Sequence, residues 1–340
     1  MRINEVEEVL KTKKLDQIVI RDQANLRAVT GINCDNGILT VQKGKPVFYT
    51  DFRYIPMVHR VAPKLTCKDI KNFKPKGAKI GVEFSMSHAA FLALKEKGPK
   101  GAKYVDVTKE IHDIRMVKTP EELDKLRAAE QLTVEIWEDA CKQFKAGMTE
   151  REMANVIKKM MIDRGEGEAF ETIVCVGKNA AECHHEPDDT TWNGRDPVLV
   201  DMGVKLNGMC SDMTRNYIPV KPSKTYQKVY DLVLKANLAA IAAAKPGMTG
   251  KKLDKVARDV ITKGGFGKCF GHSLGHGVGL EIHETPYASK KSDWTLKPGM
   301  FVTIEPGIYL EGNLGVRIED LVLVTETGCE VLTASAKEDE

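Results

Sequence analysis

The chain has 340 residues, a length that suggests about two globular domains. Its residues are 42% hydrophobic and 29% charged, a composition too apolar for intrinsic disorder. Its 51 lysines and arginines against 48 aspartates and glutamates give a net charge of only +3, without the basic excess of nucleic-acid-binding proteins. No apolar run approaches the roughly 20 residues that cross a bilayer, and residues 1–8 lack the features of a secretion signal. We therefore expect a cytoplasmic protein with neither nucleic-acid nor membrane partners.

The first part of the chain alternates strand-like runs with helical stretches. Apolar and β-branched runs predict strands at residues 15–20, 37–41 and 46–50. Helical spacing predicts helices at residues 51–61 and 87–97. This alternation is typical of a modest α/β domain.

A domain boundary is predicted just before Thr119. Thr119, Pro120 and Glu122 supply an N-cap threonine, a proline in the first turn and a capping-box glutamate, which together start a new helix. We predict an N-terminal domain of residues 1–116 and a second domain of residues 117–340.

The second domain repeats itself at a spacing of one hundred residues. Residues 145–149 (Lys-Ala-Gly-Met-Thr) return as residues 245–249 (Lys-Pro-Gly-Met-Thr), where glycine ends one helix and threonine caps the next. The helices that follow carry matching apolar stripes, each suited to burial against a sheet. The repeat predicts two related halves that face each other.

An acidic residue closes an apolar strand in the first half. Asp201 is followed eleven residues later by Asp212, and between them lies Asn207-Gly208, a strong two-residue hairpin signal. In that hairpin Asp201 faces Thr214. The period-two alternation of strands then puts Asp201 and Asp212 on the same face.

The second half carries the corresponding pair of acids. Glu319 follows Glu305 by fourteen residues, and a three- or five-residue loop around residues 311–314 would place the two directly opposite each other. Four carboxylates can thus converge between the halves.

Four buried carboxylates repel one another and take up protons unless a positive partner lies among them. Lysine or arginine can serve, but short acids on hairpins with a histidine nearby suit Mn²⁺, Fe²⁺ or Co²⁺. Five of the eight histidines lie in two clusters, namely His184 with His185, and His272 with His276 and His283. Imidazole is the commonest metal ligand and proton carrier near neutral pH.

Three segments of the second domain carry specific motifs. They are residues 272–284 (HSLGHGVGLEIHE), 303–309 (TIEPGIY) and 315–320 (GVRIED). These motifs resemble those of the pita-bread metallopeptidases, and look most like the Xaa-Pro branch, aminopeptidase P and prolidase. The resemblance covers residues 119–333 and, more loosely, the preceding domain through residues 49–54 (YTDFRY). It implies an α/β N-terminal domain followed by an α+β pita-bread catalytic domain with an internal pseudo-two-fold duplication.

The resemblance implies two divalent metal ions held by five residues. Asp201 would bind one ion alone, Asp212 and Glu319 would bridge the two, and His276 with Glu305 would complete the other. Mn²⁺ is the expected metal, with Co²⁺, Fe²⁺ and Zn²⁺ as alternatives. In such a site a bridging water loses a proton and attacks a peptide carbonyl.

Catalytic and substrate-binding roles also follow from the resemblance. Glu305 would act as the general base, while His283 and His184 would contact the substrate and the tetrahedral oxyanion, with His184 preferred over His185. Arg317 would orient the acids. The residues expected to contact substrate are His184, His272, His283 and Tyr309, although a packing role for Tyr309 is equally compatible with the pattern.

The expected substrates are peptides or dipeptides with proline in second position. An Xaa-Pro bond has no N–H, so clefts that bind extended backbone by ladder hydrogen bonds lose a donor and a dedicated pocket is needed. Residues 51–54 look more like aminopeptidase P, which trims longer peptides, and prolidase, which cleaves dipeptides, is the alternative. A creatinase-like hydrolase or a non-catalytic binding protein is more distant, because the acidic ligands are retained. A homodimer is expected by resemblance.

Overall fold

The structure, a computed structural model, describes residues 1–333. It separates into two compact units, of which the first is Met1–Arg115 and the second begins at Met116. Within the described residues, no helix is both long enough and apolar enough to span a membrane.

The first unit is a mixed sheet with helices. Its elements are α1 (Ile3–Thr12), β1 (Gln17–Ile20), α2 (Gln23–Thr30), β2 (Ile38–Gln42), β3 (Lys45–Thr50), α3 (Ile55–Val61), β4 (Thr66–Asp69), β5 (Lys79–Val82), α4 (His88–Lys97), β6 (Lys103–Asp106) and α5 (Thr108–Met116). The strand order is β4-β3-β2-β1-β5-β6. Strands β1, β5 and β6 run parallel, and β1, β2 and β3 run antiparallel in turn. This arrangement confirms the predicted α/β domain.

The predicted strands and helices of this unit are confirmed apart from one helix start. The helix expected from residue 51 begins at Ile55, because Asp51 instead caps a turn by accepting hydrogen bonds from the backbone N–H of Arg53 (3.0 Å) and from its guanidinium. Pro56 then occupies the first turn of α3, a position that needs no backbone donor.

The second unit consists of two similar halves. Its elements are α6 (Pro120–Cys141), α7 (Glu150–Arg164), β7 (Ile173–Val176), β8 (Val198–Met202), β9 (Lys205–Leu206), β10 (Met209–Cys210), β11 (Met213–Tyr217), α8 (Lys224–Ala243), α9 (Gly250–Lys263), β12 (Gly275–Gly277), β13 (Glu284–Ala288), β14 (Phe301–Ile304), β15 (Gly307–Leu310), β16 (Leu314–Arg317), β17 (Asp320–Val324) and β18 (Cys329–Val331). Helices α6 and α7 share an apolar core with the sheet β11-β8-β7, and α8 and α9 share one with β14-β17-β18.

The helix caps and apolar stripes of the repeat form as predicted. The Thr149 hydroxyl accepts from the backbone N–H of Glu152 at 3.1 Å, and the Thr249 hydroxyl accepts from that of Lys252 at 3.3 Å. Three residues of each matching stripe are fully buried, and each large apolar side chain among them adds about 1.5–3 kcal/mol to stability. The stripe residues with no exposure are Met153, Ile157 and Met161 in α7 and Leu253, Ala257 and Ile261 in α9.

The first acidic hairpin has the predicted register. Asn207 and Gly208 have φ angles of +52° and +74°, as a two-residue turn of the mirror-image type requires. Strands β8 and β11 pair with Asp201 opposite Thr214. The Asn207-Gly208 signal therefore fixes which residues of this hairpin face the same side.

The second acidic hairpin also has the predicted register. Leu310 pairs with Leu314, which leaves a three-residue loop. The pairs Ile304 with Asp320 and Gly307 with Arg317 belong to one register, so Glu305 lies opposite Glu319. Both hairpins therefore present their acids as the sequence predicts.

Candidate metal centre

All ten predicted site residues line one cavity of about 420 Å³ in the second unit. The acids stand at strand ends, where backbone hydrogen bonds fix their direction: Asp201 lies in β8, Asp212 precedes β11, Glu305 follows β14 and Glu319 precedes β17. His276 lies in β12. The remaining five lining residues from the prediction are His184, His272, His283, Tyr309 and Arg317.

The centre of the cavity brings acids and an imidazole into ligand distance of one another. Donor atoms of Asp212, His276 and Glu319 all lie within 4.8 Å of each other. The Nε2 atom of His276 is 3.6 Å from Oδ2 of Asp212 and 3.5 Å from Oε1 of Glu305. These separations are too long for direct hydrogen bonds and leave room for a cation between the atoms.

The tautomer of His276 suits a metal ligand. Its Nδ1 lies 3.1 Å from the backbone carbonyl of Gly277, which can only accept, so the proton is assigned to Nδ1. The Nε2 lone pair then faces the carboxylates of Asp212 and Glu305. Burial lowers the pKa of His276 to about 4, so the ring stays neutral. A divalent cation between this lone pair and the facing oxygens would be coordinated by both.

The pKa shifts of the carboxylates fit a site for a cation. Burial, reinforced by the charge of Glu305 and Asp201, raises the pKa of Glu319 well above its usual range, and burial with the charge of Glu319 does the same for Asp212. Burial raises the pKa of Glu305 to about 8. Burial therefore favours the neutral forms of these acids, and a bound cation would favour their charged forms instead.

Asp201 has one oxygen satisfied and one not. Arg317 donates from Nη2 to Oδ2 of Asp201 at 2.7 Å, so an arginine provides part of the positive charge. The other oxygen, Oδ1, is buried and has no hydrogen-bond partner among the described residues. An orphaned carboxylate oxygen on the wall of this cavity fits a divalent ion.

Arg317 also forms hydrogen bonds with residues from several elements around the site. Besides Asp201, its guanidinium donates to the hydroxyls of Thr214 (3.0 Å) and Tyr309 (2.9 Å) and to the backbone carbonyl of Cys183 (3.3 Å). Thr214 in turn donates to Oε2 of Glu319 at 2.7 Å. The sequence reasoning missed Thr214 as a site residue, although period-two alternation from Asp212 places it on the same face.

Glu130 of α6 is a second residue that the sequence reasoning missed. Its Oε1 accepts a hydrogen bond from the backbone N–H of Asp212 at 2.8 Å, and burial raises its pKa to about 8. The side chain is fully buried, and Oε2 has no partner among the described residues. A glutamate in a long helix is usually a surface residue, so no local sequence pattern identifies Glu130 as part of the site.

The five clustered histidines lie in four different environments. The rings of His276 and His283 pack with centroids 4.4 Å apart, and Nε2 of His272 lies 2.9 Å from the hydroxyl of Tyr309. His184 lies exposed on the cavity wall. His185 lies elsewhere, with Nε2 2.7 Å from a carboxylate oxygen of Glu150. The structure thus brings His184, rather than His185, to the cavity.

Comparisons with known proteins match family models over most of the chain. The model of metallopeptidase family M24 matches residues 124–326. The model of the creatinase/prolidase N-terminal domain matches residues 2–117.

Individual relatives extend the similarity to whole proteins. The Xaa-Pro dipeptidase of Pyrococcus furiosus is 40% identical over 261 residues, which span 76% of this chain and 74% of the relative. A solved Xaa-Pro dipeptidase from Bacillus anthracis matches with a TM-score of 0.93 and 32% identity, covering 99% of this chain and 98% of that one. An X-Pro aminopeptidase from Thermotoga maritima matches with a TM-score of 0.87 and 32% identity, covering 96% of this chain and 97% of that one.

Proposed function

The chain belongs to metallopeptidase family M24, and on that premise we propose that it is an Xaa-Pro dipeptidase, which hydrolyses the bond between an N-terminal residue and a C-terminal proline. Its pita-bread catalytic fold and its assignment as a metallopeptidase are confirmed by the comparisons. For substrate length the sequence alone favours aminopeptidase P. The relatives favour the prolidase alternative, and the proposal follows them.

One observation carries the proposal. Acids from both halves and one neutral imidazole converge in one cavity, where Arg317 pairs with one oxygen of Asp201 and the other has no hydrogen-bond partner among the described residues. Without cations this arrangement is unfavourable, because buried like charges repel. Two divalent ions would offset the repulsion between the carboxylates, and one of them would be coordinated by Oδ1 of Asp201.

We assign the metal ligands to residues of both repeats. The ligands would be Asp201, Asp212, His276, Glu305 and Glu319. When bound, the ions would supply a hydroxide-like nucleophile at neutral pH and polarise the scissile carbonyl. Mn²⁺ is expected because the donors are carboxylate oxygens and one imidazole nitrogen, with Co²⁺, Fe²⁺ and Zn²⁺ as alternatives.

The chain's own groups then move the protons. In the proposed reaction Glu305 accepts a proton from the attacking water and returns it to the prolyl nitrogen, as the new C–O bond forms and the C–N bond breaks. His184 and His283 donate hydrogen bonds to the carbonyl oxygen as negative charge develops on it. Arg317 holds Asp201 in place through its bond to Oδ2.

Cavity size and lining support a small proline substrate. The cavity of about 420 Å³ has apolar wall residues, including Phe170, Ile173 and Ile282, against which a pyrrolidine ring can pack. A second candidate, Xaa-Pro aminopeptidase, is favoured by the match to the Thermotoga maritima enzyme.

A substrate series separates these candidates. Metal-free protein is loaded with Mn²⁺, and hydrolysis of Gly-Pro, Gly-Pro-Ala, Gly-Ala and acetyl-Gly-Pro is followed by amino-acid release. We expect cleavage of Gly-Pro, weak cleavage of Gly-Pro-Ala, and none of the other two. Faster cleavage of the tripeptide would favour the aminopeptidase, and equal rates on Gly-Pro and Gly-Ala would defeat proline selectivity. Homodimerisation and a cytoplasmic location stay predictions, the first testable by sedimentation.

A further inference from the structure

A second cluster of acids and imidazole lies outside the cavity, at the start of α7. Its members are Glu150, His185 and Asp188, whose side-chain donor atoms lie within 4.8 Å of one another. The Glu150 side chain is fully buried, and that of His185 is 11% exposed. Nε2 of His185 lies 2.7 Å from Oε2 of Glu150.

Hydrogen bonds already occupy Glu150. Its Oε1 accepts from the backbone N–H of Val176 (2.6 Å) and from the side-chain amide of Asn179 (2.9 Å). Its Oε2 accepts from the ring of His185 and from the backbone N–H of Asp188 (3.2 Å). Four donors match the four acceptor sites of a carboxylate, so the cluster is a hydrogen-bonded hub rather than an ion site.

This hub fixes the loop that carries His184. On one side of His184, the Cys183 carbonyl accepts from Arg317 at 3.3 Å, and on the other side His185 is bound to Glu150. Among the described residues, no side chain forms a hydrogen bond to the exposed His184 imidazole itself. The direction of His184 therefore depends on how its two neighbours are held.

The corresponding helix start in the second half shows that this hub is confined to the first half. The backbone N–H groups of Glu150 and Arg151 donate to a loop at 3.1 Å each, and those of Gly250 and Lys251 donate to the matching loop at 2.8 and 3.0 Å. A Cβ atom at Gly250 would collide with the carbonyl oxygen of Tyr287. The second half thus has no room for an acidic side chain at this position. The Glu150 hub is therefore found in the half that carries His184.

We propose that Glu150 and His185 form a positioning pair that holds His184 towards the substrate, an inference that rests on the proposed function. The pair connects α7 to the loop through one buried contact. Glu150 stands at a helix N-terminus, which favours its negative charge.

The charges around His185 support a strong contact. Burial lowers the pKa of His185, but the hydrogen bond and charge of Glu150, with those of Asp188 and Glu182, outweigh it and raise the pKa. Glu150 therefore shifts the ring towards its charged form, and hydrogen bonds to a charged group are roughly twice as strong as neutral ones.

A double-mutant cycle tests whether His185 acts through His184. The variants are His185→Ala, His185→Gln, His184→Ala and the double alanine variant, with exposed His59→Ala as the matched control. We expect His185→Ala to lower kcat on Gly-Pro by about tenfold or more, as for other residues that orient a catalytic group. KM and bound metal should stay near wild type, because the affected contact forms in the transition state. The melting temperature should fall, because the buried carboxylate of Glu150 loses one of its hydrogen-bond donors.

The remaining variants give the diagnostic pattern. His185→Gln should recover most of the activity, because its amide can still donate to Glu150. In the His184→Ala background, His185→Ala should add no further loss, since its effect passes through His184. An equal loss in both backgrounds, or no loss with His184 present, would overturn the proposal.

Hydrogen–deuterium exchange gives a readout that needs no turnover. Faster exchange of residues 177–190 is expected in His185→Ala and absent in His59→Ala, because only the former releases the loop. Unchanged exchange in His185→Ala overturns the positioning pair. Wild-type protein that cleaves no Xaa-Pro bond overturns the proposed function instead, so the two failures are distinguishable.

Discussion

Replacing Asp212 by asparagine removes one anionic donor from the centre of the site while keeping side-chain size. The backbone N–H that donates to Glu130 is unaffected by the change. The carboxylate of Asp212 lies within 4.8 Å of donor atoms of His276 and Glu319. The substitution therefore alters charge at the proposed metal position with little change in packing.

The structure sets the size of the expected effects. Two full negative charges 4.8 Å apart repel by about 3 kcal/mol at an effective dielectric constant of about 20. Metal-free Asp212→Asn should therefore be more stable than metal-free wild type at alkaline pH, where protons no longer mask the repulsion. A metal ion present at 100 times its Kd stabilises the wild type by about 2.7 kcal/mol, or roughly 5–10 °C, and this gain should vanish in the variant.

Three measurements check this prediction. Metal content after dialysis, the melting temperature with and without Mn²⁺, and turnover of Gly-Pro are compared with those of Asp259→Asn, whose parent side chain is a surface partner of Lys255. Turnover of Asp212→Asn should fall by about a thousandfold or more, since a metal ion contributes several kcal/mol to transition-state stabilisation. Normal metal content together with wild-type turnover would refute the reasoning.

Three further perturbations follow from the contacts. Arg317→Lys should lower kcat by about 10–100-fold, because an ammonium cannot reproduce the planar fork that holds Asp201, and steady-state kinetics with an unchanged rate would contradict this. Lys118→Met leaves Glu284 buried without its 2.8 Å partner and should lower the free energy of unfolding by about 3–5 kcal/mol. Urea denaturation followed by tryptophan fluorescence measures it, with exposed Lys142→Met as the control. Metal-free protein should lose stability as the pH rises through about 8. Burial raises the pKa of Glu305 to about 8 in the folded state, whereas the unfolded chain releases this proton above about 4.5. The folded state therefore binds the extra proton, and its advantage is lost as the pH rises. Calorimetry across pH 5–9 tests it, and a flat profile without metal would contradict it.

Local signals in the sequence were sufficient for the hairpins that carry the acids. Asn207-Gly208 determines the turn, and strand alternation then places Asp201 opposite Thr214. The threonine caps likewise predicted the starts of α6, α7 and α9 from local sequence. Each cap accepts a hydrogen bond from a free backbone N–H within three residues.

Features that depend on distant contacts could not be predicted in this way. Glu130 is buried because α6 packs beside the Asp212 hairpin, and no periodicity marks a glutamate as internal. The different directions of His184 and His185 depend on Glu150, 35 residues away from His185 in sequence. The resemblance favoured His184, but the reason for the choice lies in tertiary packing.

The most direct test of the paired metal site is anomalous X-ray diffraction from crystals of the protein grown with Mn²⁺. The account predicts two anomalous peaks in the cavity, both within bonding distance of carboxylate oxygens from the two acidic hairpins and one also bonded to Nε2 of His276. Diffraction at the manganese edge that shows no peak there, or peaks confined to surface acids, would contradict it.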